Sequence, residues 1–491
     1  MRWVDVSKNI RVLIFCFIFL FFFIAFIKYP GHGFYYVLFS IVANTMLYFC
    51  FRSQAIFFDV FIGLLFWLGF WLKLTYRIVF MGGDFVWAGN FDGSPAAFDR
   101  AVLVATCGLS GLLLASYVRG KFLFNYPQVA AVEAQPGLFG FYVDFRKYVL
   151  IAFLLFLVSV GYLNVHFGIY QRGEITKTIL PFGLNGVFTW LLLFGMASFV
   201  AVILNFELRI NRGNYWWVIV YSFLEGLVSS SSQLSRGMLI STGSLLYGVF
   251  YNFRISAFKV RVRFFVAVML VFMLLFASSA VLVTYIRSAS YLDSLGAHAS
   301  QESTHAVQET IPTIQAPPPT PLDMTVRMAA SLLVDRWVGM EGVMAISSYP
   351  ELGWVVWRQA WQEVYNENVL SFYDKNLINS SYKNTDTSKF HFVSLPGIIA
   401  FFFYPGSYLF LFVSMALLGM GAALLEIFVF KVGGKNVILC SLLAQVVAYR
   451  FMSFGYVPAQ SYLLFGSIIF NVFLIYFADK ILGWWRSRFV F

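Results

Sequence analysis

Apolar runs long enough for a helix to cross a lipid bilayer recur along this chain from position 10 to position 482. Short polar connections part them, and one long polar segment interrupts the series. A crossing takes roughly 20 largely apolar residues, because about 30 Å of hydrocarbon must be spanned at ~1.5 Å per helical residue. On that measure the pattern predicts twelve helices, over 11–27, 33–50, 55–74, 99–118, 148–165, 186–205, 215–230, 237–253, 264–286, 407–430, 436–453 and 461–479. The expected fold is an all-α polytopic membrane protein: helices one to nine over 1–286, a large outer loop over 287–394, and a second membrane part over 395–491. No small-x-small cleavage site follows the first run, Val12 to Ile27, and another span begins within a few residues, so it reads as an uncleaved first helix.

Two membrane stretches are irregular. The run over 395–430 holds no charge before Glu426 and, at 36 residues, is too long for one crossing. Pro405–Gly406 is expected to split it into an outer re-entrant or interfacial piece and a true span. Further back, Ser229, Ser230, Ser231, Ser232 and Gln233 interrupt the apolar pattern ahead of Arg236. Lipid does not tolerate unpaired backbone, so this break is expected to line a watery cavity. Within the long polar segment, 303–323 carries Pro312, Pro317, Pro318, Pro319 and Pro321 and reads as an extended tether. After it Val326, Ala330, Leu333, Trp337, Met340 and Met344 recur at spacings of four and three. That is the stripe of an amphipathic helix lying against the outer membrane surface or covering a cavity.

Composition removes the soluble alternatives. Of 491 residues 60% are apolar, 20% aromatic and 12% charged, which is more apolar surface than a water-soluble fold can hide. The formal net charge of +11 does not point to nucleic acid, because the basic residues are scattered between spans instead of gathered on a soluble domain. They report topology. With the N-terminus in the cytoplasm, nineteen of the 34 basic residues fall on inner segments and eight on short outer connections, the asymmetry expected when positive residues stay inside. Both termini are then cytoplasmic, and the 287–394 loop, with seven basic and eleven acidic residues, is outside. Cys16, Cys50, Cys107 and Cys440 lie in apolar runs without metal-ligand spacing and read as packing residues.

Ionisable groups at membrane depth are costly, which makes each a candidate for function. Glu225 stands about ten residues into its span and reads either as a functional carboxylate or as the partner of a neighbouring arginine. Asp59 and Glu426 lie near inner helix ends, within reach of water, and read as ordinary carboxylates. On the outer side stand Arg77, Arg100, Arg172, Arg236, Arg287, Arg327, Arg336, Arg358 and Arg450. The guanidinium fork suits phosphate oxygens, and a cluster of such forks beside a greasy slot is what a lipid-linked pyrophosphate needs. Arg236 occupies a polar, glycine-followed break, and Arg336 adjoins Trp337 on the apolar stripe. All five histidines fall on the outer side; His391 precedes the irregular 395–406 segment, and a neutral imidazole is a ready proton acceptor. A phosphate-binding glycine loop with Lys-Ser/Thr, a His-Glu-x-x-His pair and a tight Asp-x-Asp pair are all missing, and Asp84, Asp92 and Asp99 are too widely spaced for one metal site. Nucleotide-driven transport and metal catalysis therefore find no support, and no cofactor or metal is expected.

Ser232-Gln233-Leu234-Ser235-Arg236-Gly237 looks like the Ser-Arg-Gly element that follows a middle span in the Wzy-type oligosaccharide repeat-unit polymerases of O-antigen, capsule and exopolysaccharide assembly. Arg336-Trp337-Val338-Gly339-Met340-Glu341 looks like that family's Arg-centred loop segment, and His391 through Gly397 resembles its approach to the helix after the large loop. As topology the likeness covers nearly the whole chain. It implies a GT-C-like polymerase/ligase architecture in the bacterial inner membrane. The implied enzyme is a metal-independent, inverting glycosyltransferase that moves a growing glycan from undecaprenyl pyrophosphate onto a hydroxyl of the next lipid-linked repeat unit. The third and fifth outer loops are the functional ones in that family, and here they carry Arg172 and Arg336. The resemblance thus assigns Arg172, Arg236, Arg336 and Glu341 to the pyrophosphate and glycan, and the base to His391 or Glu225. The implied partners are the undecaprenyl-pyrophosphate-linked oligosaccharide, membrane lipid and a possible chain-length regulator. The related O-antigen ligases share the architecture and often place a histidine before the corresponding helix, so a ligase stays open. A lipid-oligosaccharide flippase is the rival from another class, disfavoured by the 108-residue outer loop and the lack of evident inverted repeats.

Overall fold

The computed structural model describes every residue except 1–2, 86–87, 128–135, 211–215, 236, 238, 257–262, 280–333, 335–336, 379, 381–390 and 490–491. The described residues are helical with no extended strand. Before the long loop over 287–394 the helices are α1 Trp3–Lys28, α2 Gly33–Cys50, α3 Phe57–Met81, α4 Pro95–Phe122, α5 Pro136–Phe167, α6 Pro181–Ile210, α7 Trp216–Ser232, α8 Leu239–Ile255 and α9 Arg263–Ser279. Within and after the loop come α10 Met340–Ser347, α11 Trp354–Trp361, α12 Ile398–Phe402, α13 Tyr408–Val432, α14 Val437–Met452 and α15 Ser461–Phe489.

Seven of these, α2 to α6, α13 and α15, are long and apolar enough to cross a bilayer. Their outer faces carry large apolar side chains such as Tyr148, Leu155, Leu417 and Phe470, which water would oppose and lipid accepts. The chain is a membrane-embedded helical protein. A helix stands at each of the twelve predicted segments, but α7 and α8 have 17 residues each, and α9, α14 and the apolar part of α1 are also short. The apolar run over 395–430 is divided, with α12 ending at Phe402 and α13 starting at Tyr408 beyond Pro405 and Gly406, which adopts φ +76.

Local chemistry explains several boundaries. Ser94 accepts the Ala97 N–H at 3.3 Å with Pro95 at the first helical position of α4. Gly82 ends α3 in the left-handed conformation at φ +62. The first turn of α3 is capped from far along the chain, since Glu426 accepts the N–H groups of Phe57 at 2.9 Å and Phe58 at 2.8 Å and the Tyr126 hydroxyl. Asp59 pairs with Arg119 beside it. Both carboxylates were expected near water; both are buried, because each is consumed in joining helix ends.

The described chain divides into two compact units. Unit 1 comprises Met1–Pro127, Ala329–Lys431 and Leu443–Phe470; unit 2 comprises Gln128–Met328, Val432–Leu442 and Asn471–Phe491. In unit 1, α10 and α12 pack on α4. In unit 2, α7 packs against α5, α6 and α8.

Two sequence expectations are corrected. The helical stripe over 326–344 does not run through Trp337–Gly339, which is non-helical; α10 starts at Met340 and is buried on nearly every side instead of lying on a surface. The residues 326–333 lie outside those described. Nor do Ser229–Ser232 break the helix: α7 continues to Ser232, and Ser229, Ser230, Ser232 and Gln233 are buried rather than lining water. The hydroxyls of Ser229, Ser230 and Ser232 find partners inside the unit, while Gln233 Oε1 has none among the described residues.

Candidate functional site

In unit 1 the loop returns to the membrane helices at a crossing of two glycines. α3 contains a π-helical stretch, Trp67–Leu72, of the kind that interrupts the regular ladder. A Cβ on Gly69 would stand 2.4 Å from the Val338 carbonyl oxygen, and one on Gly339 would stand 2.5 Å from the Gly69 carbonyl oxygen. No other residue type fits that approach. One turn on, Lys73 is fully buried; its Nζ donates to the Trp337 carbonyl at 3.1 Å and to Glu341 Oε2 at 2.6 Å. Glu341 lies in the first turn of α10, where a carboxylate also meets the helix dipole favourably. The structure therefore places Glu341 as the counter-ion of an intramembrane lysine that sequence reasoning passed over.

The same helix carries the segment that leads into α12. A Cβ on Gly342 would meet the Pro396 carbonyl oxygen at 1.9 Å, and Gly455, at φ +120, faces the Pro396 ring. Gly397 adopts φ +83 and donates its N–H to the Phe454 carbonyl at 3.0 Å. Ser394–Gly397 is thus clasped between α10 and the turn after α14. This clasp fixes where His391, just upstream, stands.

His391 lies among aromatic rings, with the Tyr365 centroid at 5.8 Å and the Tyr456 centroid at 5.5 Å. Its Nδ1 is 2.9 Å from the Glu367 carbonyl oxygen. A carbonyl can only accept, so Nδ1 carries the proton and donates it. In the neutral ring Nε2 is then the bare lone pair, and it has no hydrogen-bond partner among the described residues. Arg450, one of the arginines expected on the outer side, donates to the Tyr456 carbonyl at 3.3 Å and to Ser461 Oγ at 3.0 Å, and so braces the turn that carries the Tyr456 ring.

Two carboxylates tie this turn to the loop. Glu363 accepts the Phe372 N–H at 2.5 Å and the Val457 N–H at 3.2 Å. Val457 is held at φ 45, ψ 56, a conformation a β-branched residue seldom adopts. Asp374 is fully buried, accepts the Ser371 hydroxyl at 2.6 Å and the Ser394 N–H at 2.9 Å through Oδ2, and its Oδ1 has no partner among the described residues. Burial pushes the Glu363 carboxyl above its usual range, against the pull of its two N–H donors, and the neighbouring Asp374 charge adds to the rise. Burial likewise pushes the Tyr456 hydroxyl up to about 12. None of Lys73, Glu363, Tyr365, Asp374 or Tyr456 sits in a motif; the spacing Glu363-x-Tyr365-x-Glu367 was the one local signal.

In unit 2, Asn164 is fully buried and holds the loop after α5, donating to the carbonyls of Tyr170 at 3.0 Å and Ser232 at 2.8 Å and accepting the Tyr170 N–H at 2.9 Å. The Arg172 N–H donates to the Gln233 carbonyl at 3.1 Å. Gln233 Nε2 donates in turn to the Leu192 carbonyl at 2.8 Å, within a π-helical stretch of α6, Leu191–Gly195. The structure thus joins the Arg172 loop to the Ser232–Gln233 turn. Glu225 lies inside α7, fully buried, accepting Ser229 Oγ at 2.7 Å.

Of the six candidate residues, Glu341 and His391 lie in unit 1, and Arg172 and Glu225 in unit 2. Arg236 and Arg336 lie outside the described residues. Among the described residues no group of His, Cys, Asp and Glu side chains is placed to hold a metal ion. No protein-family model, curated protein or solved structure matches this chain.

Proposed function

We propose that this protein is a polymerase of undecaprenyl-pyrophosphate-linked oligosaccharide repeat units, working at the outer face of a bacterial inner membrane with both termini in the cytoplasm. Twelve crossings and an outer 287–394 loop are part of that reading. Its main support is the geometry of His391: Nδ1 faces the Glu367 carbonyl as a donor, and the buried Nε2, on the loop segment leading to α12, has no hydrogen-bond partner among the described residues and is the nitrogen left to act as a base. In the reaction the acceptor sugar hydroxyl gives its proton to Nε2, and its oxygen forms a bond to the donor anomeric carbon. The bond from that carbon to the pyrophosphate oxygen breaks, and the pyrophosphate leaves as an anion on its lipid. Arginine supplies charge for a leaving pyrophosphate without a metal, and Arg172, Arg236 and Arg336 are the candidates. Glu341, bound to Lys73, acts as a positioning residue for the loop.

The test is reconstitution. Purified protein given lipid-linked repeat units in detergent should lengthen the glycan, and His391→Ala should slow this by about 10²- to 10⁴-fold, the usual weight of a general base. Consumption of the donor only when a lipid A-core acceptor is added makes the protein a ligase, and flipping in vesicles without any new glycosidic bond makes it a transporter. Either result removes the polymerase reading.

A further inference from the structure

Inside unit 2 one carboxylate oxygen is left with nothing to bind. Glu225 is fully buried, its Oε1 accepts a hydrogen bond from the Ser229 hydroxyl, and its Oε2 has no hydrogen-bond partner and no ionic partner among the described residues. Ser222 stands three residues earlier, on the same face of α7. It is fully buried too, and its Oγ is likewise unpartnered. The neighbouring helix brings a third oxygen. Thr242 of α8, also fully buried, donates its hydroxyl proton to the Ser222 carbonyl at 3.3 Å and keeps lone pairs to offer. It stands so close to α7 that a Cβ on Gly226 would lie 1.9 Å from Thr242 Oγ1. The missing side chain at Gly226 is what lets this hydroxyl approach the turn that carries Glu225.

A buried anionic oxygen without a donor is strongly unfavourable in an apolar interior. Here the surrounding groups add further oxygen lone pairs and no described positive charge. Hard oxygen donors with a single negative charge, and neither nitrogen nor sulfur among them, suit a hard monovalent cation rather than a transition metal. The close approach of α8 at Gly226 favours a small ion. We propose that Glu225 Oε2, Ser222 Oγ and Thr242 Oγ1 bind a sodium ion within unit 2. This site is separate from His391 and does not depend on the glycosyl-transfer reading.

The test uses the full-length protein in detergent at fixed pH and ionic strength. Radioactive sodium should bind at one ion per chain, and sodium chloride should raise the melting temperature saturably above that in N-methylglucamine chloride, as expected for a ligand of the folded state. Glu225→Gln should abolish both effects. Ser222→Ala removes one neutral donor, leaves the carboxylate and should weaken sodium binding by roughly tenfold or more. The monodisperse elution of each variant, checked beside the binding, separates loss of the site from loss of the fold. Equal melting in sodium and N-methylglucamine chlorides overturns the proposal. Equal stabilisation by potassium overturns the assignment to sodium, and sodium binding unchanged in Glu225→Gln overturns the site.

Discussion

Lys73 and Glu341 are 268 positions apart in the chain and form an ion pair of 2.6 Å, with the lysine wholly shut away from solvent. The same ammonium holds the Trp337 carbonyl, so one side chain in a long apolar helix pins both the backbone and a carboxylate of the segment over 337–341.

Breaking one partner of such a pair leaves a buried charge uncompensated. Lys73→Met should destabilise the protein by about 3 kcal/mol or more. Lys73→Met combined with Glu341→Leu should recover a good part of that loss, since two apolar residues then meet where two charges met. Thermal unfolding of the two single variants and the double variant in detergent measures the coupling; strictly additive losses would show that the pair does not hold the loop.

The glycine crossings make a sharper forecast. Gly69→Ala and Gly342→Ala place a methyl group against backbone oxygens of Val338 and Pro396, which side-chain rotation cannot relieve. Each should cost at least about 1–3 kcal/mol and increase protease cleavage in the long loop before α12. Gly421→Ala in α13 meets nothing within 4 Å and should be neutral or stabilise by up to about 1 kcal/mol through helix propensity. Limited proteolysis of the three variants side by side is the check.

Glu363 gives a pH signature. Its folded-state carboxyl titrates above the unfolded range because of burial. The protonated form is therefore the one the fold favours, and the contribution is fully present below about pH 4.3, the unfolded value. It is lost as pH rises through the raised folded value. Glu363→Gln cannot titrate, so its melting temperature should fall less than that of the parent protein over that window. Parallel curves for both proteins in a pH-resolved melting series would refute the assignment.

His391 should be sensitive to which ring nitrogen is kept. Asparagine at 391 offers an amide N–H in place of Nδ1–H and no base in place of Nε2. His391→Asn is expected to retain the parent melting temperature within about 1 kcal/mol of stability, while losing glycan elongation by about 10²-fold or more. Equal elongation rates in the two proteins would remove His391 from the chemistry.

Much of the architecture was legible along the chain, and particular residues show why. Pro405 and Gly406 divide an apolar run too long for one crossing, and α12 and α13 part there. The spans expected over 55–74 and 99–118 lie inside longer helices, whose ends are set by Gly82 and by Ser94–Pro95. These are consequences of neighbouring residues and of the lipid that the apolar runs require. Single sites were legible only as residue types. His391 stood out as a base, but not its bond to Glu367 or its place between Tyr365 and Tyr456. The serines before Arg236 read as a break, and α7 runs through them because Asn164 and other buried partners take up their polar groups.

Helices and their membrane character follow from the order of apolar and polar side chains, because hydrogen bonding within a helix and burial in lipid depend on residues a few positions apart. The partners of Lys73, Glu363, Asp374 and Glu225 follow no such local rule. They are set where helices distant in sequence cross closely enough, often at a glycine, for an ionisable group to lose its water and take a protein atom in exchange, and only the folded arrangement specifies which atom that is.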